Sequence, residues 1–362
     1  MADVPFFSIC IPQHNRTSFV VEAIRSIGRQ RFRECEICVS DDCSTDGRAG
    51  EVRAALEATG LRWRYQRRDT NGRYDKNLRS AMDLARGEYL FMLANDDALK
   101  DELTLTRLAA LLRAQPSADV LLANFEDFAS GTVTRRVEGT MLAGSGPRVA
   151  VAAFRKFSFV SGVVIRREPA DRARTDAWDG SEMYQMYIGC RVIASGGALL
   201  EADLTTIRKD IRIAGEDVDS FATRPRQALA GIPVQPIPVS RVVALVASAI
   251  EPYLGAGRQW TLASLMVQYF GFLYPYWLFV YRRVQSWRYA AGVARAFVPT
   301  RSLAGARITM LATVAAWTCF AGATVVGLCV PVTASSALFR PARRAARAAA
   351  SLGRPAVRAG RP

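Results

Sequence analysis

Two apolar runs in the first hundred residues each close on a pair of adjacent aspartates. Cys35-Glu36-Ile37-Cys38-Val39-Ser40 leads into Asp41 and Asp42, and Tyr89-Leu90-Phe91-Met92-Leu93-Ala94-Asn95 leads into Asp96 and Asp97. Read as strands of an open parallel sheet, both runs deliver their acids to the crevice at the carboxyl ends of the strands, where such sheets bind ligands. Four carboxylates gathered there repel one another. A divalent cation and a ligand rich in hydrogen-bond donors relieve that repulsion, and a metal-bound nucleotide supplies both.

The surrounding chain has the pattern needed to build that crevice. Phe6 to Ile11 reads as a strand, and Val20, Val21, Ile24 and Ile27 repeat at helical spacing before the strand that ends at Asp42. Ser44-Thr45-Asp46-Gly47 supplies turn and capping chemistry ahead of a helix carrying Val52, Ala55 and Leu56. Leu61 to Gln66 reads as a strand, Leu78 to Ala85 as a helix, Tyr89 to Leu93 as a strand, Leu103 to Leu112 as a helix and Val120 to Ala123 as a strand. Such alternation implies right-handed crossovers and a parallel sheet covered on both faces. From 129 to 160 the glycines and Pro147 break any period, which predicts a linking strand-and-loop region over the crevice. Phe159 to Arg166 reads again as a strand and Trp178 to Arg191 as a helix.

Charge is distributed unevenly. The formal net charge of the 362 residues is +15, yet no acidic residue follows Glu251 while fourteen arginines do. The first 251 residues are therefore close to neutral, and the excess belongs to the C-terminal third. With His14 the only histidine, sites built from several imidazoles are excluded. Cys35 and Cys38 have the spacing of half a zinc site but no second pair to complete it, so they read as core cysteines. The first residues lack the basic and apolar stretches of a secretory signal, which predicts a cytosolic N-terminal part.

Five elements in order resemble the nucleotide-binding half of family 2 glycosyltransferases, which have the GT-A fold: Ser8-Ile9-Cys10-Ile11-Pro12-Gln13-His14-Asn15-Arg16, Val39 through Gly47, Asn71-Gly72 with Lys76 and Asn77, Ala85-Arg86-Gly87-Glu88-Tyr89, and Asn95-Asp96-Asp97. The resemblance implies an α/β fold with a Rossmann-like, mostly parallel sheet and flanking helices. It assigns Pro12, His14, Asn15, Asp41, Asp42, Lys76, Asn77, Asn95 and Asp96 to the nucleotide-sugar, with Asp42 accepting from a pyrimidine ring. A carboxylate accepts but cannot donate, so uracil or thymine is favoured over cytosine. For Asp41, capping of the turn at Ser44 is the competing role. The family's Asp-x-Asp metal motif here reads Ala94-Asn95-Asp96, which leaves Asp96, with Asp97 beside it, as the ligands for Mg²⁺ or Mn²⁺. One carboxylate suffices where the substrate's phosphates complete the shell. The resemblance also places the base that takes the acceptor's proton in Trp178-Asp179-Gly180-Ser181-Glu182, where Glu182 and Asp179 are the alternatives. Arg208, Lys209 and Arg212 read either as a cover over the phosphates or as a solvated loop.

Four segments are expected: 1–128 binding the nucleotide-sugar, 129–250 binding the acceptor, 251–339 hydrophobic and membrane-associated, and a basic Ala/Arg-rich tail, 340–362. Thr261 to Tyr281 is uncharged and aromatic with Pro275 inside it, and the uncharged run from Ile308 reaches Val330 before Pro331, long enough as a helix to cross a bilayer core. Arginines flank both runs, which favours re-entrant or interfacial helices over a two-span hairpin. The tail could bind lipid headgroups or nucleic acid; the neighbouring apolar runs point to lipid, and no nucleic acid is expected. The expectation is thus a metal-dependent inverting transferase at the cytoplasmic membrane face, acting on a glycan or polyprenyl-linked acceptor. A nucleotidyltransferase and a catalytically inactive partner of an active enzyme are the alternatives.

Overall fold

The computed structural model describes residues 4–216, 238–284 and 286–331, and the basic tail 340–362 lies outside the described residues. The chain divides into two compact units with the boundary between Pro225 and Arg226.

The first unit is built on one ten-stranded sheet. In chain order its elements are β1 (Phe7–Gln13), α1 (Thr17–Gly28), β2 (Cys35–Asp41), α2 (Ala49–Ala58), β3 (Arg62–Arg67), α3 (Arg73–Asp83), β4 (Tyr89–Met92), β5 (Ala98–Leu99), α4 (Thr104–Ala114), β6 (Ala118–Asp127), β7 (Val133–Thr134), β8 (Met141–Gly144), α5 (Pro147–Ala153), β9 (Val163–Arg166), α6 (Arg167–Ala173), α7 (Tyr184–Ala194) and β10 (Ala198–Lys209). The main strand order is β3-β2-β1-β4-β9-β6-β10-β5. β3, β2, β1 and β4 run parallel, as the sequence predicts. β9 then enters antiparallel to both β4 and β6, while β6 and β10 are parallel to each other. The sheet is therefore mixed.

Every residue of β1 and β2 is buried, which follows from helices covering both faces of the central strands. Ile9, Ile11, Phe19, Ile24, Ile27, Ile37, Phe91 and Leu105 share one apolar core. At the amino edge of the sheet the Arg86-Gly87 turn presses on β1. Gly87 donates its amide to Ser8 Oγ at 2.8 Å, and a Cβ there would lie 2.7 Å from that oxygen and 2.9 Å from the β1 backbone. Glu36, buried in β2, completes this lock by accepting from Ser8 Oγ and from the Arg86 amide, each at 2.6 Å.

Residues 129–160, expected as strand and loop, also contain the helix α5 and a 3₁₀ turn at Phe154–Ser158. α3 begins five residues before the expected start, because its first turn is polar yet buries Asp75 and Asn77. α7 begins six residues after the expected start, since Trp178 to Met183 forms a turn. Arg208 and Lys209 belong to β10, where Arg208 pairs with Glu126 at 3.6 Å and Lys209 with Asp210 at 2.7 Å.

The second unit is helical. Val242–Ile250, the last part of the expected acceptor segment, is one of its helices. The uncharged run from Thr261 is split into the helices Arg258–Gln268 and Tyr274–Val284, joined by a π-helical turn at Tyr269–Leu273. Pro275 accounts for the break: it has no amide proton, and its ring disfavours the carbonyl four residues back. Among the described residues one helix, Met310–Cys329, is long and apolar enough to cross a membrane, and it is mostly unburied. Its C-terminal carbonyls are satisfied by side chains, as Arg282 Nη1 donates to Gly327 O at 2.9 Å and Trp287 Nε1 to Leu328 O at 3.2 Å.

Candidate active site

The loop after β1 brings the two aspartate pairs together. In the parallel register Gln13 lies opposite Asp41, and on β1's other side the Leu93 amide donates to Cys10 O at 3.1 Å. The loop leaves the sheet through two consecutive residues in the left-handed region, Asn15 at φ 50° and Arg16 at φ 56°. Such geometry is unfavourable for a bulky side chain and persists where surrounding contacts fix it. Asn15 donates its amide to Ser44 Oγ at 2.7 Å and accepts from the Thr45 amide at 2.8 Å, tying the loop to the turn after β2. His14 Nδ1 lies 3.0 Å from Asp42 O, and the side-chain amides of Asn15 and Asn71 each lie 3.3 Å from its Nε2. A carbonyl only accepts, so the proton is assigned to Nδ1 and Nε2 is the acceptor. On the far side of the loop Arg16 Nη1 donates to Asp96 Oδ2 at 2.8 Å. One three-residue loop, His14 to Arg16, thus touches both acid-bearing edges.

The nucleotide-side residues form a closed frame. Asp42 is 1% exposed; its Oδ1 accepts the Gly72 amide at 2.8 Å and lies 3.2 Å from Arg68 Nε. That Arg68 N–H is buried without hydrogen-bond geometry to any acceptor. Asn77 Nδ2 donates to Gln13 O at 2.9 Å, while its Oδ1 is buried and unsatisfied. Buried polar atoms with nothing to bond are rare, and a bound ligand is one way of completing them. Asp41 accepts the Ser44 amide at 2.9 Å and the Tyr65 hydroxyl at 2.6 Å, so it performs the turn-capping role. Pro12 is buried in β1, and Lys76 stands exposed on α3.

The three acid-motif residues go to different places. Asn95 donates its side-chain amide to Gln13 Oε1 at 2.7 Å, bracing the β1 loop. Asp96 stays partly open, with Arg16 as its partner. Asp97 is buried beneath, accepting from the Ser161 hydroxyl and, at 2.9 Å, from the Asp210 amide. Burial, with Asp96 beside it, pushes the Asp97 carboxyl well above the usual aspartate range. Among the described residues no three His, Cys, Asp or Glu side chains are grouped to hold a metal. The donor set fits a hard cation only as a single carboxylate, Asp96, with the remaining ligands drawn from phosphate and water. Arg16 would have to leave Asp96 for that to happen.

On the acceptor side the two base candidates differ. Asp179 is held by both Arg79 guanidinium nitrogens, with Nη2 at 2.9 Å from Oδ2. Glu182 is exposed and has a left-handed backbone, φ 57°. Its amide donates to Asp75 Oδ2 at 2.8 Å, and the Tyr184 amide donates to Asp75 Oδ1 at 3.0 Å. Asp75 and Arg136 have no counterpart in the sequence reading. The half-buried Arg136, whose guanidinium pKa is pushed down to about 9 by desolvation, donates to the carbonyls of Ala123, Lys156, Phe159 and Ser161. A buried polar residue in a helical or loop pattern looks like a solvated one, and for Asp75 the one available signal is its place among the polar residues just before Asn77.

A mixed α/β sheet with a parallel half, an acid-lined carboxyl edge and an added half of mixed direction defines the class of GT-A-type proteins. TarS of Staphylococcus aureus, solved over its residues 1–349 with UDP-GlcNAc, shares this fold with a TM-score of 0.58 at 18% identity, over 88% of this chain and 90% of that one. The mannosyltransferase PcManGT of Pyrobaculum calidifontis, solved with GDP-Man and Mn²⁺, matches at a TM-score of 0.51 and 16% identity, over 97% of this chain and 87% of that one. Residues 8–172 match the family model described as Glycosyl transferase family 2. The abequosyltransferase RfbV of Salmonella typhimurium is 28% identical over 233 residues, which are 59% of this chain and 68% of that protein. An uncharacterized protein of Sinorhizobium fredii, y4gI, is 32% identical over 128 residues, 35% of this chain. The matched stretch spans 14% of the length of y4gI, and 45% of a PGL/p-HBAD biosynthesis glycosyltransferase of Mycobacterium tuberculosis that is 32% identical.

Proposed function

We propose that the chain transfers a sugar from a nucleoside-diphosphate sugar to a hydroxyl of a glycan or lipid-linked acceptor, with inversion at the anomeric carbon. The observation that carries this reading is the β1 loop, which contacts Asp42 through His14 and Asp96 through Arg16 and so makes one crevice of the two acid edges. In that crevice Asp42 offers an acceptor and Arg68 an unsatisfied donor side by side. The pair complements an N–H next to a C=O, the edge of uracil or thymine, and supports a uridine- or thymidine-type donor.

Glu182 takes the proton of the acceptor hydroxyl while that oxygen forms its bond to the anomeric carbon and the bond to the diphosphate breaks. Asp179 is the weaker candidate, since both of its carboxylate oxygens are already engaged by the Arg79 guanidinium. Asp96 would hold Mg²⁺ or Mn²⁺, whose charge offsets that of the departing diphosphate. Arg16, once released from Asp96, has a guanidinium suited to the same phosphates. Attachment to the cytoplasmic face of a membrane through Met310–Cys329 and its arginine flanks is part of this reading.

The test is turnover of a panel of nucleoside-diphosphate sugars with Mn²⁺, read by product analysis. Release of a nucleoside diphosphate is expected, whereas nucleotidyl transfer would release inorganic diphosphate from a triphosphate. Glu182→Gln should lower kcat roughly 10²–10⁴-fold. Asp96→Ala should abolish turnover and, unlike Glu182→Gln, weaken cation-dependent nucleotide binding. Full activity in both variants would refute the site assignment.

A further inference from the structure

We infer that Asp75, on the donor-side helix α3, is a positioning residue that fixes Glu182 for proton abstraction on the acceptor side; this rests on the reading of Glu182 as the base. Asp75 is 1% exposed and lies in the first turn of α3. Its carboxylate spans the backbone on either side of the Glu182 side chain. Oδ2 accepts the Glu182 amide at 2.8 Å and lies 3.4 Å from the Ser181 hydroxyl, and Oδ1 accepts the Tyr184 amide at 3.0 Å.

Two features indicate that this clasp sets the direction of Glu182 as well as stabilising a helix end. Glu182 has φ 57°, a backbone geometry that an unrestrained glutamate leaves. Met183, the residue before α7, makes no side-chain cap, so Asp75 satisfies the helix's orphan amide from another helix. Other α3 side chains grip the same segment. Tyr74 donates its hydroxyl to Gln185 Oε1 at 3.1 Å, and Arg79 donates to Thr175 O at 3.2 Å while holding Asp179.

α3 serves the donor side as well, through Asn77 to Gln13 O and, just ahead of the helix, Gly72 to Asp42. The helix therefore holds the nucleotide frame and the base-bearing turn in one rigid piece. Loss of one Asp75 acceptor oxygen lets the Glu182 backbone relax out of the left-handed region and carries its carboxylate away from the acceptor hydroxyl.

The experiment is a kinetic double-mutant cycle on the full chain with Asp75→Asn, Glu182→Gln and the double variant. Asp75→Asn keeps the size of the side chain but replaces one acceptor with a donor. Its kcat should fall roughly ten- to hundred-fold, the loss that accompanies a misplacement of about 1 Å, while its calorimetric affinity for UDP with Mn²⁺ stays at the wild-type value. In the Glu182→Gln background the same substitution should cause no further loss. Asp75→Glu, which retains both oxygens one methylene further out, should show the same split of kcat from nucleotide affinity and serves if the amide variant does not fold. Unchanged kcat in Asp75→Asn, or losses that multiply in the double variant, would overturn the inference while leaving the base assignment standing. Full activity of Glu182→Gln alone would instead remove the base assignment and the inference with it.

Discussion

Arg16 and Asp96 compete at the centre of the crevice. The guanidinium neutralises the only motif carboxylate left open, since Asn95 is turned to Gln13 and Asp97 is sealed by Ser161 and Asp210. A partly exposed ion pair of this kind is worth up to about 1 kcal/mol. Arg16→Ala should therefore tighten Mn²⁺ binding to the nucleotide-free protein by a factor of several, because Asp96 loses its internal partner. The same variant should bind a nucleoside diphosphate more weakly. Isothermal titration separates the two effects, and an unchanged Mn²⁺ affinity would show that the pair does not guard the site. The types of these residues were legible from sequence: acids at strand ends and a polar loop after the first strand. Which acid stays open was not, because it depends on Ser161 and Asp210, residues 64 and 113 positions from Asp97.

The elements divide in the same way. The alternation from β1 through β6 follows the apolar periodicity, since β1, β2, β4, β6 and the helices α1, α2 and α4 each bury apolar residues in one core. What escaped the pattern is where polar residues face inward or direction depends on distant partners. The first turn of α3 looks solvated yet buries Asp75 and Asn77, and β9 runs antiparallel to both β4 and β6, strands more than 35 residues away in the chain. β10 begins after a helix and ends in Arg208 and Lys209, whose charges suggest a loop although each finds an acid. Gly87 illustrates a legible element with a specific reason: a methyl there would collide with Ser8 and the β1 backbone. Gly87→Ala should lower unfolding free energy by roughly 1–3 kcal/mol, as overpacking does, read from the denaturant midpoint. Asp75 gives a pH signature. Burial raises its carboxyl above the ordinary aspartate value, opposed by the amides that it accepts. Between the ordinary and the raised value the folded state holds a proton that the unfolded chain has released, so the Asp75 contribution to stability falls as pH rises through that window and is level above it. The melting temperature of the wild type relative to Asp75→Asn should decline across that range, and a flat difference would contradict the assignment.

At the scale of the whole molecule, each unit has its own chemistry. The first carries the family 2 match over residues 8–172 and the crevice. The second holds Met310–Cys329, with Met310 85%, Val314 54% and Val325 62% exposed, and exposed Trp260 and Trp287 on neighbouring helices. Apolar side chains so displayed, in a region whose only formal charges after Glu251 are arginines, suit an anionic bilayer. Co-sedimentation with phosphatidylglycerol vesicles should exceed that with phosphatidylcholine and should drop in the Val314→Asp, Val325→Asp double variant; equal binding to both vesicle types would argue against the charge component. The central claim, that the acids at the ends of β2 and β4 serve one nucleotide-sugar, is tested most directly by calorimetric titration of UDP, with and without Mn²⁺, into the wild type, Asp42→Asn and Asp96→Ala. Binding that Mn²⁺ strengthens in the wild type, that weakens at least about tenfold in Asp42→Asn through loss of a buried charged hydrogen bond, and that no longer responds to Mn²⁺ in Asp96→Ala is the predicted result. Wild-type affinity and an intact Mn²⁺ response in both variants would contradict it.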